Sequence, residues 1–412
     1  MIKYYKNSSS DIILCLKLMY LFIGIDIIGS LLNLNFAFFR YLLATLVVYY
    51  FFKSVFSQQN RYHLVFYLRK AKFLFFFIWT FIIIAASLPQ VFTGPNNIID
   101  FKRLISGQLL LYFIPFFIFY KPSLLFIKLL FKFSYSLSII YLLITIPFLN
   151  YFTNGKLSGE GYAIIFAAAA SIILLTLSYH SPKVQYITLF TFLLAIFINA
   201  VNVRRNQIAY FGSILFFTVV IHLFASSKFL IYRKKKFLTS IFIILIPISF
   251  YIFINLQRFE PIIEKSKTGM ESRDAPIKDF FADFNEHPND WIVGRGINGL
   301  VRSSTNAPYD IGSRAGIENG YLMHILVGGW IYLGLIILIA LPAMYLGFFK
   351  SKNILCKSFA AIILTYFIDM IGFGIAQTTL KFGLIWIGIS ICYSARMRNY
   401  SDEFLKSVIG LK

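Results

Sequence analysis

The chain has 412 residues, of which 58% are hydrophobic and 14% charged, whereas an ordinary soluble domain carries about 25% charged residues. This composition excludes a soluble globular protein and indicates a polytopic membrane protein. The net charge of +22 would suggest nucleic-acid binding in a soluble chain, but basic residues also collect in the cytoplasmic loops of membrane proteins. Topology is the better explanation, and no nucleic-acid partner is expected.

Apolar stretches follow one another along almost the whole chain. A helix needs about 17–25 predominantly apolar residues to cross a bilayer. Stretches of this length predict twelve membrane-spanning helices, at residues 12–32, 36–55, 73–92, 104–120, 133–151, 162–179, 184–201, 207–225, 237–255, 320–349, 354–373 and 380–395. Pro122 and Lys128 leave open whether residues 121–132 form a loop or an interfacial helix.

This pattern divides the chain into four parts. Nine helices fill residues 1–256, a polar loop occupies 257–319, three helices fill 320–396, and residues 397–412 form a tail. We therefore expect an all-α polytopic membrane protein in which one large loop precedes the last three helices.

Basic residues concentrate in alternate connections between the predicted helices. With the N-terminus in the cytoplasm, the basic stretches within residues 53–72 and 228–236 both lie on the cytoplasmic side. Since cytoplasmic loops carry an excess of Lys and Arg, this orientation is favoured. It places both termini in the cytoplasm and the loop 257–319 on the opposite, periplasmic side.

The loop 257–319 contains ten of the chain's 17 acidic residues, so it must lie in water or at the headgroup surface. Within it, Asp274 can cap a short helix opened by Pro276. Apolar side chains recur at helical spacing along one face of this helix: Ile277, Phe280, Phe281 and Phe284. The face can rest on the membrane or pack on the helical bundle, because the spacing does not identify its apolar partner.

Arg204 and Arg205 lie in the short external turn between the predicted seventh and eighth helices. Because two arginines are disfavoured in so short an external turn, we expect an interaction that offsets their presence. A bound phosphate is a natural candidate, since a guanidinium group can bind two phosphate oxygens at once. The alternatives are snorkelling to the interface or an ion pair with a loop acid such as Glu318.

The loop adds further arginines that could bind phosphate. Arg273 precedes the amphipathic helix, which can hold it against the membrane surface, although an ion pair with Asp274 or Glu271 explains it as well. Arg295 lies between Gly294 and Gly296. These glycines do not follow a strand or open a convincing helix, so a dinucleotide-binding loop is unsupported. A tight turn that brings the backbone close to substrate or to the bundle is the better interpretation.

Glu318 and His324 lie where the chain returns to the membrane, and either could act as a base near neutral pH. Helix capping explains Glu318 equally well, and a hydrogen-bonded core histidine is the simpler interpretation of His324. Asp369, inside an apolar helix, is a functional candidate by default, above all for a coupled transporter. The His and Cys residues build no metal site, so no metal is expected.

Three features together resemble the O-antigen polymerase and O-antigen ligase superfamily of bacterial inner-membrane glycosyltransferases. They are the many-helix architecture with one large loop, the arginines before that loop, and a pattern at the end of the loop. In family members the pattern is a Pro followed by Gly-x-Gly, His-Asn-x-x-Leu and a Gly in the next helix. In this chain it reads His287-Pro288, Gly294-Arg-Gly296, Glu318-Asn319-Gly-Tyr-Leu322 and Gly329. The chain departs from the family at Glu318, where the family has His.

The resemblance implies a cofactor-free and metal-independent transfer of a glycan from undecaprenyl diphosphate to a sugar hydroxyl. Arginines would bind the diphosphate, and Glu318 or His324 would accept the hydroxyl proton. The arginines implied in diphosphate binding are Arg204, Arg205, Arg273 and Arg295, and Arg273 would also stabilise the transition state.

The resemblance further implies a role in lipopolysaccharide or capsule biosynthesis in the bacterial inner membrane. The expected partners are undecaprenyl-diphosphate-linked glycans, the lipid bilayer and a chain-length regulator. A polymerase is favoured over a ligase, because the ligases usually keep the histidine that Glu318 replaces here. A flippase or transporter of lipid-linked oligosaccharide is the alternative from a different class.

Overall fold

A computed structural model describes residues 11–25, 37–93, 109–154, 157–202, 204–224, 274–303, 312–314, 316–372 and 379–412. Most of these residues are helical. Within these described residues, five helices are long and apolar enough to cross a membrane: Leu124–Thr145, Pro182–Val201, Arg205–Leu223, Gly320–Phe349 and Ile354–Gly372. The prediction of an all-α membrane protein is therefore confirmed at this level, while the number of twelve spans stays a prediction. The predicted helix 237–255 lies outside the described residues.

The first half of the chain forms helices of very different lengths. They are residues 11–25 (α1), Ala37–Val55 (α2), Gln58–Leu68 (α3), Ala71–Thr93 (α4), Leu109–Phe113 (α5, continued by the 3-10 helix Ile114–Phe119), Leu124–Thr145 (α6) and Leu149–Thr153 (α7). Helix α6 begins earlier than the predicted 133–151, because Ser123 caps it by accepting a hydrogen bond from the N–H of Phe126 at 3.1 Å. Residues 124–132 thus belong to a helix of membrane-spanning length.

The segment predicted as one helix at 162–179 is broken instead. It consists of Gly159–Tyr162 (α8), a π-helical turn at Ala163–Ala167, a 3-10 turn at Ala168–Ala170, Ser171–Leu175 (α9) and a second 3-10 turn at Leu177–Tyr179. Four consecutive alanines, residues 167–170, are fully buried where these turns change type. Small side chains let neighbouring helices approach closely, and changes of helix type often mark functional segments.

The second half contains the loop and the last helices. Its elements are Pro182–Val201 (α10), Arg205–Phe224 (α11), Asp274–Glu286 (α12), Pro288–Val293 (α13), the strands Val301–Arg302 (β1) and Ser313–Arg314 (β2), Gly320–Phe349 (α14), Ile354–Gly372 (α15), Leu380–Tyr393 (α16), Ala395–Asn399 (α17) and Asp402–Ile409 (α18). The two short strands pair antiparallel, with Val301 opposite Arg314. Five predicted helices, from 184–201 onward and excluding 237–255, agree with α10, α11, α14, α15 and α16 to within a few residues.

Helix α14 lies at the centre of the bundle and packs against α4, α13, α15 and α16. It is interrupted at Gly329, whose φ of +68° is a left-handed conformation. The carbonyls released by this kink find partners elsewhere: Leu326 accepts from the N–H of Arg295, Val327 from the N–H of Gly296, and Gly328 from the indole of Trp79. Satisfying these carbonyls is necessary because non-helical backbone at membrane depth is tolerated only where protein covers it.

The amphipathic helix of the loop is α12, which begins at Asp274. Its Phe280 and Phe284 are fully buried, with ring centres 4.1 Å apart, and both contact Trp291 of α13. Phe281 is partly exposed. The aromatic face therefore packs mainly on α13 of the same loop, a partner that neither of the two alternatives derived from the sequence had named.

Helix α15 defines the two ends of the bundle. At its start, the backbone N–H of Ile354 donates to Asp402 of the tail at 2.8 Å. At its finish, the carbonyls of Ile371 and Gly372 accept hydrogen bonds from Asn319 and Asn206. We call the first the tail end and the second the loop end.

Candidate functional site

The two adjacent arginines lie at the loop end, where α11 begins. Arg204 is 58% exposed, and its Nε lies 3.3 Å from Oε2 of Glu160. Gln207, one turn into α11, donates to the other oxygen of Glu160 at 3.5 Å. Arg205 is the first residue of α11 and is exposed. Since a helix N-terminus carries positive partial charge, the arginines and α11 together favour an anion.

Glu318 was named from the sequence as one example of a loop acid that could pair with these arginines, whereas the partner that the structure shows for Arg204 is Glu160. Glu160 lies in the first turn of α8, after Ser158, whose hydroxyl caps that helix by accepting from the N–H of Gly161. The sequence signal for this acid was a Ser-Gly-Glu start to a helix, which sequence reasoning missed. A single exposed pair of this kind contributes about 0–1 kcal/mol, so a diphosphate could displace it at small cost.

Glu318 is exposed at the loop end, immediately before α14. The next residue, Asn319, caps α14 by accepting from the N–H of Leu322 at 3.1 Å. Its amide also donates to the Ile371 carbonyl of α15 at 3.3 Å. The capping role proposed as an alternative for Glu318 therefore belongs to Asn319, and the Glu318 carboxylate lies where solvent and a substrate can reach it.

The arginine pair and Glu318 approach the same structural element. Asn206, beside Arg205, donates to the Gly372 carbonyl of α15 at 3.2 Å, and Asn319 binds the carbonyl of Ile371 just before it. The end of α15 thus lies between the two parts of the candidate site. Asn206 was not singled out from the sequence, and Asn319 was noted only as part of the loop-end pattern, because both hydrogen bonds join residues far apart in the chain.

His324 is buried in α14, and its Nε2 lies 2.7 Å from the hydroxyl of Tyr366 in α15. This geometry is that of a hydrogen-bonded core histidine. It leaves Glu318 as the more accessible of the two proposed bases.

Arg295 has its donors directed into the loop itself. Its guanidinium group binds both carboxylate oxygens of Asp283, at 2.6 and 3.0 Å, and also Asp290, at 2.6 Å. It donates further to the carbonyl of Leu300 and stacks 4.6 Å from the centre of the Phe284 ring. These contacts favour a structural role, and we leave Arg295 out of the proposed phosphate site. Arg273, the other loop candidate, lies outside the described residues.

The same interactions set the charge of Asp283. Burial alone would raise its pKa, but hydrogen bonds from Arg295 and from the backbone N–H of Arg302, together with the charges of these arginines, outweigh burial and hold the pKa below the ordinary 3.8. Asp283 therefore stays ionised at neutral pH and organises the short loop domain around itself.

Gly294 and Gly296 form the tight turn predicted from the sequence, with φ of +73° and +79°. The turn contacts the bundle: a Cβ on Gly294 would lie 2.5 Å from the backbone nitrogen of Gly328, and one on Gly329 would lie 2.0 Å from the Ile292 carbonyl. The glycines thus let two backbones meet, and they present no phosphate-binding loop at the surface.

A cavity of about 420 Å³ lies beside this turn, between α4, α13 and α14. Its walls are mostly apolar, and Asp290 and Arg295 are the charged residues that line it. The apolar side chains that line it are Trp79, Ile82, Ile83, Ala86, Val293 and Val327. Such a space is suited to a hydrocarbon chain.

No protein-family model matches the chain, and searches of curated proteins and of solved structures likewise find no significant match. The class of protein is therefore defined by the fold alone: a helical membrane protein with two exposed arginines and an exposed carboxylate at one end of its bundle.

Proposed function

We propose that the protein is a polymerase of undecaprenyl-diphosphate-linked oligosaccharide repeat units. The observation that carries this proposal is the convergence of Arg204, Arg205 and Glu318 on the end of α15. A cationic group and an accessible carboxylate at the membrane surface are the two groups that glycan transfer from a lipid diphosphate requires.

In the proposed reaction, a sugar hydroxyl of the acceptor glycan attacks the anomeric carbon of the donor glycan. A glycosidic C–O bond forms as the bond from that carbon to the diphosphate oxygen breaks. Arg204 and Arg205 stabilise the negative charge that develops on the departing polyprenyl diphosphate, and Glu318 accepts the hydroxyl proton. Arg273 would add a further cation from the loop, and the lipid chain would lie among the apolar helices.

The proposed orientation places the tail end in the cytoplasm and the loop end in the periplasm of a bacterial inner membrane. Supporting it, basic residues cluster around the tail end, among them Lys350, Lys352, Arg396 and Arg398, whereas the loop carries balanced charge. Fusions of a periplasmic reporter enzyme after Gly299 and after Lys412 test this: activity is expected from the first and absence of activity from the second. The reverse result would contradict the orientation.

A transporter of lipid-linked oligosaccharide is the second candidate. The broken segment α8–α9 and the buried ion pair between Asp369 and Lys381 favour it, since interrupted helices and buried charges are common in transporters. The exposed arginine pair and the helices of the large loop are not required by transport alone.

A deletion strain distinguishes the family alternatives. Loss of a polymerase should leave lipopolysaccharide or capsule with a single repeat unit, and loss of a ligase should leave the core bare. Complementation with Arg205→Ala should fail to restore long chains, while Arg302→Ala, an exposed loop arginine, should restore them. Long chains in the deletion strain itself would contradict the proposed polymerase.

A further inference from the structure

The loop end contains a buried ion pair that the proposed chemistry does not use. Nζ of Lys381, the second residue of α16, lies 2.7 Å from Oδ2 of Asp369 in α15, and the side chains are only 12% and 3% exposed. The ammonium group also lies 3.9 Å above the centre of the Tyr210 ring in α11. One cluster of three side chains therefore joins α11, α15 and α16 at the loop end.

Burying two charges is costly, and a buried ion pair often stabilises a protein no better than apolar side chains of similar size. Stability alone therefore does not explain this pair. Its position is more informative, because Asp369 lies two residues before Ile371 and three before Gly372. Those are the residues whose carbonyls accept from Asn319 and Asn206.

The last carbonyls of a helix have no partner within the helix, so they are free to bind other groups. At the end of α15 two of them bind the asparagines that adjoin the candidate site residues, Asn206 next to Arg205 and Asn319 next to Glu318. Tyr321 adds a third hydrogen bond to this part of α15, because its hydroxyl donates to the Phe367 carbonyl at 2.8 Å. Movement of this helix end would change the separation between the arginines and the carboxylate.

We infer that Asn206, Asn319 and the Asp369–Lys381 pair are positioning residues, which fix the end of α15 and thereby the spacing between the anion-binding arginines and the base. The inference rests on the proposed function for its kinetic consequence, although its structural part stands independently. Misplacing a reacting group by about 1 Å can reduce a rate about 100-fold, so loss of this spacing acts on the chemical step.

The kinetic test uses the full-length protein in proteoliposomes with purified lipid-linked repeat unit. Asn206→Ala, Asn319→Ser and the double variant Asp369→Leu/Lys381→Met are compared with the wild type. Serine retains the cap of α14 but is too short to reach α15, and the apolar pair removes both buried charges together. Each variant should lower kcat about 10- to 100-fold, with KM for the lipid-linked substrate within about 2-fold and the unfolding temperature nearly unchanged.

Two controls keep this test specific. Lys381→Arg retains the ion pair and should retain kcat, and Asn154→Ala removes an exposed asparagine that bonds only within its own helix and should do the same. Wild-type kcat in Asn206→Ala and Asn319→Ser, or a loss confined to KM or to thermal stability, would overturn the positioning role. A wild-type protein that makes no longer glycan would contradict the proposed function instead.

A distance measurement tests the structural part without any activity. Spin labels at Ala209 in α11 and at Gly316, four residues before α14, report the separation of these two elements. Ala209 is exposed, and a side chain at Gly316 would lie 3.9 Å from Met323. The Asp369→Leu/Lys381→Met background should broaden or shift the distribution of distances between the labels. An unchanged distribution would overturn the inference, whatever the kinetic result.

Discussion

Arginine residues near the loop end differ in what surrounds them rather than in type. Arg295 is 18% exposed and binds two carboxylates, a carbonyl and a ring face, whereas Arg204 is 58% exposed and contacts one partly exposed acid. The first environment organises the loop, and the second leaves a cation that a substrate can engage. Both arginines were phosphate-binding candidates from the sequence, because their spacing contains no information about the side chains that they contact in the fold.

Replacing Arg295 tests its structural role. Arg295→Ala leaves the buried carboxylate of Asp283 without its main partner and should destabilise the loop by about 2 kcal/mol, the usual range for hydrogen bonds to charged groups. Arg302→Ala is the matched control: its side chain is 65% exposed and pairs with an exposed glutamate, so a change below about 0.5 kcal/mol is expected. Denaturant unfolding followed by the fluorescence of Trp291 measures both, and equal effects would contradict the assignment.

The lowered pKa of Asp283 makes the loop sensitive to acid. Because its folded-state pKa lies below the unfolded value of 3.8, the ionised carboxylate contributes stability that is complete above pH 3.8 and lost as the pH falls through the folded-state pKa. Asp283→Asn should abolish this dependence. The wild-type loop is therefore expected to unfold on acidification with a midpoint below pH 4. The Asp283→Asn loop is expected to show no such acid transition. Identical pH profiles for the two proteins would be incompatible with the ion pair.

At the scale of elements, the kink of α14 is the feature that attaches the loop to the bundle. In the turn at Gly294–Gly296, the backbone N–H groups of Arg295 and Gly296 donate hydrogen bonds to the carbonyls of Leu326 and Val327. The kink at Gly329 leaves these carbonyls without partners inside α14. This gives a physical reason for the pattern of Gly-x-Gly followed by a distant Gly: two backbones must meet without side chains between them. The pattern was visible in the sequence, but its meaning depended on the contact.

Gly329→Ala should disrupt this junction. An alanine there would need a strained left-handed backbone, and its Cβ would lie 2.0 Å from the Ile292 carbonyl. We expect a loss of several kcal/mol, in line with strain and overpacking together. Gly334→Ala, in the same helix with nothing within 4 Å of the added Cβ, should be neutral or stabilising by up to about 1 kcal/mol. Thermal unfolding in detergent compares them, and a stable Gly329→Ala protein would disprove the junction.

The helices that sequence predicted best, α2, α4, α10, α11 and α14–α16, combine continuous apolar stretches with polar or capping residues near their ends. The broken segment α8–α9 was missed because an apolar, alanine-rich stretch looks the same whether it forms one helix or several turns. The candidate site was predicted only in part. Arg204, Arg205 and Glu318 were chosen from unusual charge placement, whereas Glu160, Asn206 and Asn319 act through contacts that no local pattern encodes.

At the scale of the whole molecule, the C-terminal tail packs on the tail end of the bundle, opposite the candidate site. Asp402 accepts from Tyr179 and from the N–H of Ile354, and the N–H of Leu411 donates to His180. Leu405 and Ile409 are fully buried beside these contacts. The start of α15 is thus fixed by the tail and its finish by the site asparagines, so both ends of this helix are held.

Removing residues 401–412 should therefore destabilise the bundle although it leaves every predicted span intact. Burial of Leu405 and Ile409 contributes about 1.5–3 kcal/mol each, and the hydrogen bonds of Asp402 add about 1.5–3 kcal/mol, so a clearly lower unfolding temperature in detergent is expected. Deletion of exposed Lys412 alone is the control and should leave the unfolding temperature unchanged. A truncated protein as stable as the full chain would show that the tail is not part of the folded bundle.

The central proposal is that the arginines and the carboxylate at the loop end join glycans carried on lipid diphosphates. Its most direct test is reconstitution of the purified protein in proteoliposomes with purified lipid-linked repeat unit, followed by size analysis of the glycans. Products lengthened by whole repeat units are expected from the wild type, and their loss is expected in Arg205→Ala and Glu318→Gln. Translocation of the substrate across the bilayer without any new glycosidic bond would contradict the proposed activity.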